Sequence, residues 1–160
     1  MPIKIDKIDR AILEQLQRDA SLSTADLATQ VGLSMSPCWR RIRRLEKAGV
    51  ISRRVAILDR EQLGLEVTVF ASVKLSAHGR QSLPEFEAAI EEHDEVVACY
   101  VMTGEVDYLL QVVTRDIRSY ENFLRNHLLQ LPTVREVHSQ IVLSQLKHTT
   151  ELPLFDLGSS

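Results

Sequence analysis

Five cationic side chains fall within eight residues of one segment, and their chemistry suits the binding of phosphate groups and nucleic-acid bases. They are Arg40, Arg41, Arg43, Arg44 and Lys47. Guanidinium groups are attracted to phosphate oxygens, and an arginine can donate two hydrogen bonds to the O6 and N7 edge of guanine. The segment therefore carries the chemistry that binding to double-stranded DNA requires.

The candidate DNA contacts divide by their position along this segment, which has the pattern of a helix. Side chains near the start of such a helix lie deepest in the major groove. Base contacts are expected from Ser36, Trp39, Arg40 and Arg43, and phosphate contacts from Arg41, Arg44, Arg53 and Arg54. Ser34 and Lys47 complete the candidate set. The alternative is a solvated charged face in which Arg43 pairs with Glu46 one turn on. In that case Trp39 packs at the edge of the inward apolar stripe, which consists of Cys38, Ile42 and Leu45.

Three short amphipathic helices are predicted in the first part of the chain. The first begins at the N-cap Asp6, the second spans 23–32, and the third opens at either Ser34 or Ser36 and stops before Gly49. Three helices, a turn that contains glycine and a basic last helix are typical of a helix-turn-helix. A strand over 50–58 is predicted to follow as the wing.

The second part of the chain has the pattern βαββαβ, which is typical of a ferredoxin-like fold. Strands are predicted over 66–75, 96–102, 108–114 and 134–146, with helices that start at Ser82 and Asp116. The expected inward residues of these helices are Leu83, Phe86, Ile90, Ile117, Tyr120, Leu124 and Leu128. Right-handed crossovers place both helices on one face of the sheet. The fold class is therefore α+β, with a three-helix winged helix-turn-helix domain followed by a ferredoxin-like domain.

The sheet face away from the helices is predicted to be apolar, although an open face should be polar. The side chains expected there are Phe70, Tyr100, Met102, Leu109, Val113, Val142 and Leu146. An apolar face of that size indicates a partner. Self-association is favoured, and coverage by the N-terminal domain is the alternative.

Charge separates the chain into the same two parts. Residues 1–60 carry 12 Lys and Arg against 7 Asp and Glu, whereas residues 61–160 carry 7 against 15. A basic end on an acidic protein favours a module that binds nucleic acid. The expected boundaries are 1–58 for the DNA-binding domain, 59–65 for a hinge, 66–153 for the second domain and 154–160 for a flexible tail, with the chain loose from Glu151.

The remaining composition indicates a cytoplasmic protein without a metal or cofactor. Two isolated cysteines, Cys38 and Cys99, form no ligand cluster and suit a reduced compartment. The five histidines, which show no metal-ligand spacing, are His78, His93, His127, His138 and His148. A signal peptide and an apolar membrane span are not expected.

The hairpin loop at 104–107 combines two groups that suit an amino acid. Gly104 lets backbone N–H groups approach a carboxylate closely, and Asp107 could hold an ammonium group. Ser139 or Gln140 on the last strand could line a neighbouring subunit's side of such a pocket. The alternative is that Asp107 only forms an Asx-type turn.

The chain resembles the Lrp/AsnC, or feast/famine, family of regulators over about 6–153. The resembling residues are 6–13, 27–28, 32–34, 37–38, 41–42, 45–46, 49–51, 104–108, Val134 and Val137. The resemblance implies an effector that is an amino acid or a related metabolite, bound between subunits around the 104–108 loop, with Met102 just before the loop and Tyr108 at its end as further candidate contacts. It also implies homodimers that assemble into octamers. The implied role is the control of amino-acid metabolism or transport.

Two alternatives from other functional classes remain open at this point. Some haem-pathway decarboxylases resemble this family's fold and use histidines at a tetrapyrrole, which would make the protein an enzyme. An architectural DNA-binding protein without an effector is the other. The basic helix favours the regulator, and no nucleophile-elbow or phosphate-loop motif is present to supply catalytic residues.

Overall fold

The computed structural model describes residues 3–77 and 83–154, and the chain divides into two compact units. One unit comprises Met1–Ile57 with Lys147–Ser160, and the other comprises Leu58–Leu146. Within the described ranges, no helix is both long and apolar enough to span a bilayer.

The first unit contains three helices, as predicted. They are α1 (Lys7–Arg18), α2 (Thr24–Gln30) and α3 (Met35–Lys47). Asp6 caps α1 by accepting hydrogen bonds from the backbone N–H groups of Ile8 and Asp9, and the Asp9 carboxylate accepts from the Asp6 N–H in return. Such a capping box satisfies donors that a helix start otherwise leaves unpaired. Of the two candidate caps for α3, Ser34 holds the N-cap position.

The three helices bury one small core. Its fully or nearly buried apolar side chains are Ile5, Ile12, Leu13, Leu27, Ala28, Cys38, Ile42 and Leu45. Burying a side chain the size of leucine stabilises a fold by about 1.5–3 kcal/mol, so this core holds the helices together. Gly49 then ends the α3 segment at φ 73°, a conformation that favours glycine.

The predicted strand over 50–58 is wrong. The backbone of 52–59 belongs to no strand, and Val55, Ile57 and Leu58 are 57%, 64% and 70% exposed. A strand needs a neighbour to accept and donate its ladder hydrogen bonds, and β-branched composition alone does not supply one. The wing position is therefore a segment without regular secondary structure. It leads into a turn at 60–64, where Asp59 accepts from the N–H groups of Glu61 and Gln62.

The second unit has the predicted βαββαβ order. Its elements are β1 (Val67–Leu75), α4 (Leu83–Glu91), β2 (Val96–Val101), β3 (Tyr108–Thr114), α5 (Ile117–Asn126), a 3₁₀ turn (Leu128–Gln130) and β4 (Val134–Ile141). The four antiparallel strands lie in the order β2-β3-β1-β4. Ser82 and His78, which were predicted to cap α4 and to lie in the preceding loop, fall outside the described residues.

The last strand is shorter than predicted. Val69 pairs with Ile141, and the Val142 N–H donates to the Thr68 carbonyl at 2.9 Å. The neighbouring strand β1 begins at Val67, which lies opposite residue 143 in this register, so residues 144–146 extend beyond β1. Leu146 is 97% exposed and does not belong to the sheet face on which it was expected.

The helices cover one sheet face with a core that differs in detail from the prediction. Phe86, Ile90, Tyr120 and Leu128 are buried, but Leu83 and Ile117 are 38% and 59% exposed. Leu83 and Ile117 are the first residues of α4 and α5, where Cα–Cβ bonds tilt toward the helix N-terminus and away from the packed turns. Phe123, which the prediction omitted, is 1% exposed and belongs to the core.

The opposite sheet face mixes apolar and polar side chains. Phe70 of β1 pairs with Gln111 of β3 on one side and with Gln140 of β4 on the other. Tyr100 and Met102 are 53% and 39% exposed. Apolar and polar residues therefore alternate across the face, so it is less uniformly apolar than predicted.

The segment that follows the second unit packs against the first. The Gln17 side chain accepts from the Leu152 N–H at 2.6 Å and donates to the Leu152 carbonyl at 3.2 Å. Arg18 pairs with Glu151 at 3.3 Å, and Leu154 contacts the helical core. The expectation that the chain is loose from Glu151 is therefore wrong for 151–154, which group with the first compact unit. The rest of the expected tail, 155–160, lies outside the described residues.

Candidate nucleic-acid interface and ligand loop

The third helix presents a basic ridge opposite its buried side. Cys38, Ile42 and Leu45 face the core, with exposures of 0%, 5% and 0%. The side chains on the opposite face recur every three or four residues and are all exposed: Ser36, Arg40, Arg43 and Lys47. Because the apolar stripe fixes which side of α3 faces inward, the ridge is directed to solvent as a unit.

The cations near this ridge differ in how they are paired. Arg43 contacts Glu46 at 3.4 Å and lies 5.7 Å from the centre of the Trp39 ring, and Arg54 contacts Glu46 at 3.3 Å. Such exposed pairs stabilise by less than about 1 kcal/mol and can yield to a phosphate. Within the described ranges, Arg40, Lys47 and Arg53 have no acidic partner.

Arg41 and Arg44 form ion pairs with carboxylates of the same unit, whereas the sequence predicted that they would contact phosphates. The Arg41 guanidinium donates to the Asp6 carboxylate at 2.6 Å and to the Asp9 carboxylate at 2.8 Å. Arg44 donates to the other oxygen of Asp9, whose side chain is completely buried. Arg41 is 28% exposed and Arg44 47%, so Arg44 retains the larger surface for DNA.

Sequence reasoning missed two features of this surface. Asp9 follows the N-cap Asp6 by three residues, a spacing that suits helix capping, but its arginine partners lie more than 30 residues away and no local pattern reveals them. Met35 is 60% exposed at the start of α3, one turn before Trp39 at 51%. The same end of α3 borders an open pocket of about 340 Å³, lined by Asp6, Pro37, Arg40, Arg41 and Arg44.

We expect the first unit to lose stability between about pH 4 and pH 2, in part through Asp6. The hydrogen bond from the Asp9 N–H, followed by contact with Arg41, lowers the pKa of Asp6 from 3.8 to about 2. A carboxylate with a lowered pKa stabilises the fold above its ordinary pKa, and this contribution disappears as the pH falls through the folded value. Acid titration of helical circular dichroism should show a smaller slope in this range for Asp6→Asn than for the wild type. Equal slopes would contradict the assignment.

The loop between β2 and β3 has a defined conformation. Gly104 adopts φ 109°, which favours glycine. The Asp107 carboxylate accepts from the Leu75 N–H at 2.7 Å, and the Asp107 N–H donates to the Val73 carbonyl at 2.9 Å. Asp107 is thus tied to β1, and its carboxylate fixes the loop to the neighbouring strand.

The other expected ligand residues do not converge within one chain. Tyr108 is 1% exposed and its hydroxyl donates to Glu87 at 2.7 Å, so its side chain belongs to the core. Burial, together with the Glu87 carboxylate, raises the pKa of Tyr108. Ser139 hydrogen-bonds Tyr120 of α5 on the helical face, whereas Gln140 lies on the opposite face beside Phe70. Both lie on β4, two strands away from the loop.

The histidines gather no metal-ligand set in the described part of the chain, where no cluster of three or more His, Cys, Asp or Glu could hold an ion. His93 and His127 lie with ring centres 4.6 Å apart and pack beside Phe123. His138 contacts Glu136 at 3.0 Å on β4. These contacts assign local packing and pairing to the three histidines.

Comparison with known proteins identifies both units. The Lrp/AsnC ligand binding domain matches 68–152, and a winged helix-turn-helix DNA-binding domain matches 5–52. The chain is 39% identical to the transcriptional regulator AzlB of Bacillus subtilis over 98% of this chain and 100% of that protein.

Solved structures agree with this match. A transcriptional regulator from Neisseria meningitidis, solved as its complex with L-Met, superposes with a TM-score of 0.90 at 37% identity, covering 95% of this chain and 98% of that one. An AsnC family transcriptional regulator from Agrobacterium tumefaciens gives 0.88 at 47% identity, covering 93% and 97%. These relatives are transcription regulators, so the alternative of a haem-pathway decarboxylase is set aside. The chain belongs to the Lrp/AsnC family of transcription regulators.

Proposed function

We propose that the protein is a cytoplasmic, homo-oligomeric regulator that binds operator DNA through α3 and alters its binding when an amino acid occupies the second unit. The observation that carries the proposal is the ridge of Ser36, Arg40, Arg43 and Lys47, which is exposed opposite a fully buried stripe. A helix with this division of faces fits a major groove while its core side holds the domain. Control of amino-acid metabolism or transport is the regulatory role we assign to it.

We divide the exposed side chains of α3 and of the residues that flank it into two kinds of DNA contact. Arg40, Arg43 and Ser36 carry donors that suit base edges, and the exposed apolar surface of Trp39 suits thymine methyl groups. Arg53, Arg54, Lys47 and the exposed part of Arg44 suit phosphates, as does Ser34 at the helix start. Arg41 contributes mainly through its internal ion pairs.

The effector site we propose lies at the Met102–Asp107 loop, next to Tyr108. The L-Met complex of the Neisseria relative supports an amino acid as ligand. Gln140 lies two strands away on the open sheet face, so it would enter this site from a second subunit, whereas Ser139 is bonded to Tyr120 on the helical face. A homodimer that forms through the open sheet face, and an octamer of such dimers, would supply that subunit.

Salt dependence tests the DNA-binding part of the proposal. Each phosphate neutralised contributes about −0.9 to the slope of log affinity against log salt, so a dimer should give a slope steeper than about −4. Fluorescence anisotropy with a 30-base-pair duplex at several potassium chloride concentrations measures this slope. A nearly flat dependence would exclude the phosphate contacts.

We expect Asp107→Ala to weaken effector binding by about 1.5–3 kcal/mol, as for a lost charged hydrogen bond. The effector is first found by a thermal-shift screen of the twenty amino acids, which includes L-methionine, and its affinity is then measured by calorimetry. Because the carboxylate also accepts from the Leu75 N–H, the ligand-free melting temperature should fall as well. Glu105→Ala is the matched control, since Glu105 is exposed in the same loop. If both variants bind the effector as tightly as the wild type, Asp107 is only a turn residue.

A further inference from the structure

One carboxylate of the first unit is completely buried and joins the first helix to the third. Asp9, on α1, accepts hydrogen bonds from Arg41 at 2.8 Å and from Arg44, both on α3. It also accepts from the Asp6 N–H at 3.1 Å, so both of its oxygens are engaged. A buried charge is tolerated only with such partners, and here all but one of them come from the helix that carries the basic ridge.

These bonds restrain the rotation and the axial position of α3, which apolar packing alone does not fix. The stripe of Cys38, Ile42 and Leu45 fixes which side of α3 faces inward, but contacts between apolar surfaces are not directional. Hydrogen bonds from a guanidinium to a carboxylate, in contrast, are directional. Arg41 and Arg44 lie one turn apart on the flank of the stripe, so two bonds to one carboxylate restrain both the rotation and the axial position of α3.

We propose that Asp9 is a positioning residue for DNA sequence discrimination, with Asp6 as its accessory. It sets the rotation of α3 and thereby directs Arg40 and Arg43 at base edges. The inference rests on the proposed DNA-binding function. Bidentate hydrogen bonds to a base require orientation to within about 10–20°, whereas attraction of a cation to phosphate tolerates much larger errors. Loss of the restraint therefore affects the choice of sequence more than the attraction to DNA.

The same carboxylates remove charge from the DNA-facing surface. Asp6 and Asp9 together neutralise Arg41 and half-exposed Arg44 beside the pocket that also includes Arg40. Without Asp9 these cations become available to any phosphate. Nonspecific affinity should stay the same or rise while specific affinity falls, which is a combination that loss of folded protein does not produce.

The experiment uses the full-length protein and two DNA probes. The first is a 30-base-pair duplex enriched by the wild-type protein from a randomised library, and the second is the same duplex with its sequence scrambled. Anisotropy titrations give the affinity of each variant for both probes, and circular dichroism gives its folded fraction. The measured quantity is the ratio of the two affinities.

We expect Asp9→Asn to lower this ratio at least tenfold, with affinity for the scrambled duplex unchanged or increased. Asp26→Asn is the matched control, because Asp26 is an exposed aspartate at the start of α2 that contacts Ser23. Its ratio should equal that of the wild type. A folded Asp9→Asn protein with the wild-type ratio would overturn the inference.

Asp6→Asn decides the question if Asp9→Asn does not fold. Asp6 lies at the surface, so its variant should fold. Of the two arginines it contacts only Arg41, so the ratio of the two affinities should fall less than in Asp9→Asn. An unchanged ratio in that variant would then overturn the inference. If the wild-type protein enriches no duplex, the proposed DNA-binding function itself fails, and the positioning role fails with it.

Discussion

Arg40→Ala is expected to lower affinity for specific DNA about 10- to 100-fold, or about 1–3 kcal/mol, and to leave stability unchanged. Arg40 lies on the exposed ridge of α3 and has no acidic partner in the described structure. Its neighbour Arg41 should instead contribute to the stability of the fold. Arg41→Ala removes one partner of a fully buried carboxylate, and since Arg44 remains, the expected cost in free energy of unfolding is about 2–3 kcal/mol.

Urea denaturation and DNA titration of the same two proteins separate these outcomes. Alanine and arginine have similar helix propensities, so neither result can be attributed to the helix itself. Both variants replace an arginine of α3 by alanine at neighbouring positions, and they differ in what the lost side chain contacts. If Arg40→Ala lowers stability as much as Arg41→Ala, or if both variants bind specific DNA like the wild type, the assignment of the two arginines is wrong.

Phe123→Ala should destabilise the second unit by about 3–5 kcal/mol, enough to unfold a marginal domain. Phe123 is 1% exposed, and its ring packs near Tyr120, with ring centres 6.5 Å apart, and near His93. Truncation removes the buried apolar surface and leaves a cavity that the neighbouring rings fill only in part. The expected signature is a separate, earlier unfolding transition while the helical unit retains its own.

Ile117→Ala provides the control on the same helix. Ile117 was expected to face inward from the sequence, yet it is 59% exposed, so its loss should change the free energy of unfolding by less than about 0.5 kcal/mol. Differential scanning calorimetry of both variants makes the comparison. A large loss in the free energy of unfolding of Ile117→Ala would indicate that another copy of the chain covers this side chain.

The sequence by itself determined the features that depend on neighbouring residues. Asp6 and Ser23 cap their helices because each side chain reaches backbone N–H groups two or three residues on. Alternation of apolar side chains along 67–75 predicts the face of β1 that is buried, and the helical spacing of Cys38, Ile42 and Leu45 predicts the inward side of α3. The basic ridge follows from that spacing, and so does the candidate DNA surface.

Only the tertiary structure decided the features that depend on residues distant in the chain. A strand forms only where a neighbouring strand pairs with its backbone. Residues 50–58 and residues 142–146 both have a suitable composition, but 50–58 form no strand and β4 stops at Ile141. A charged side chain pairs with whatever the fold brings near it. Arg41 and Arg44 therefore meet Asp9 of α1, and the chain after Lys147 returns to Gln17. Local patterns specify which groups can bond, but long-range packing determines which of them meet.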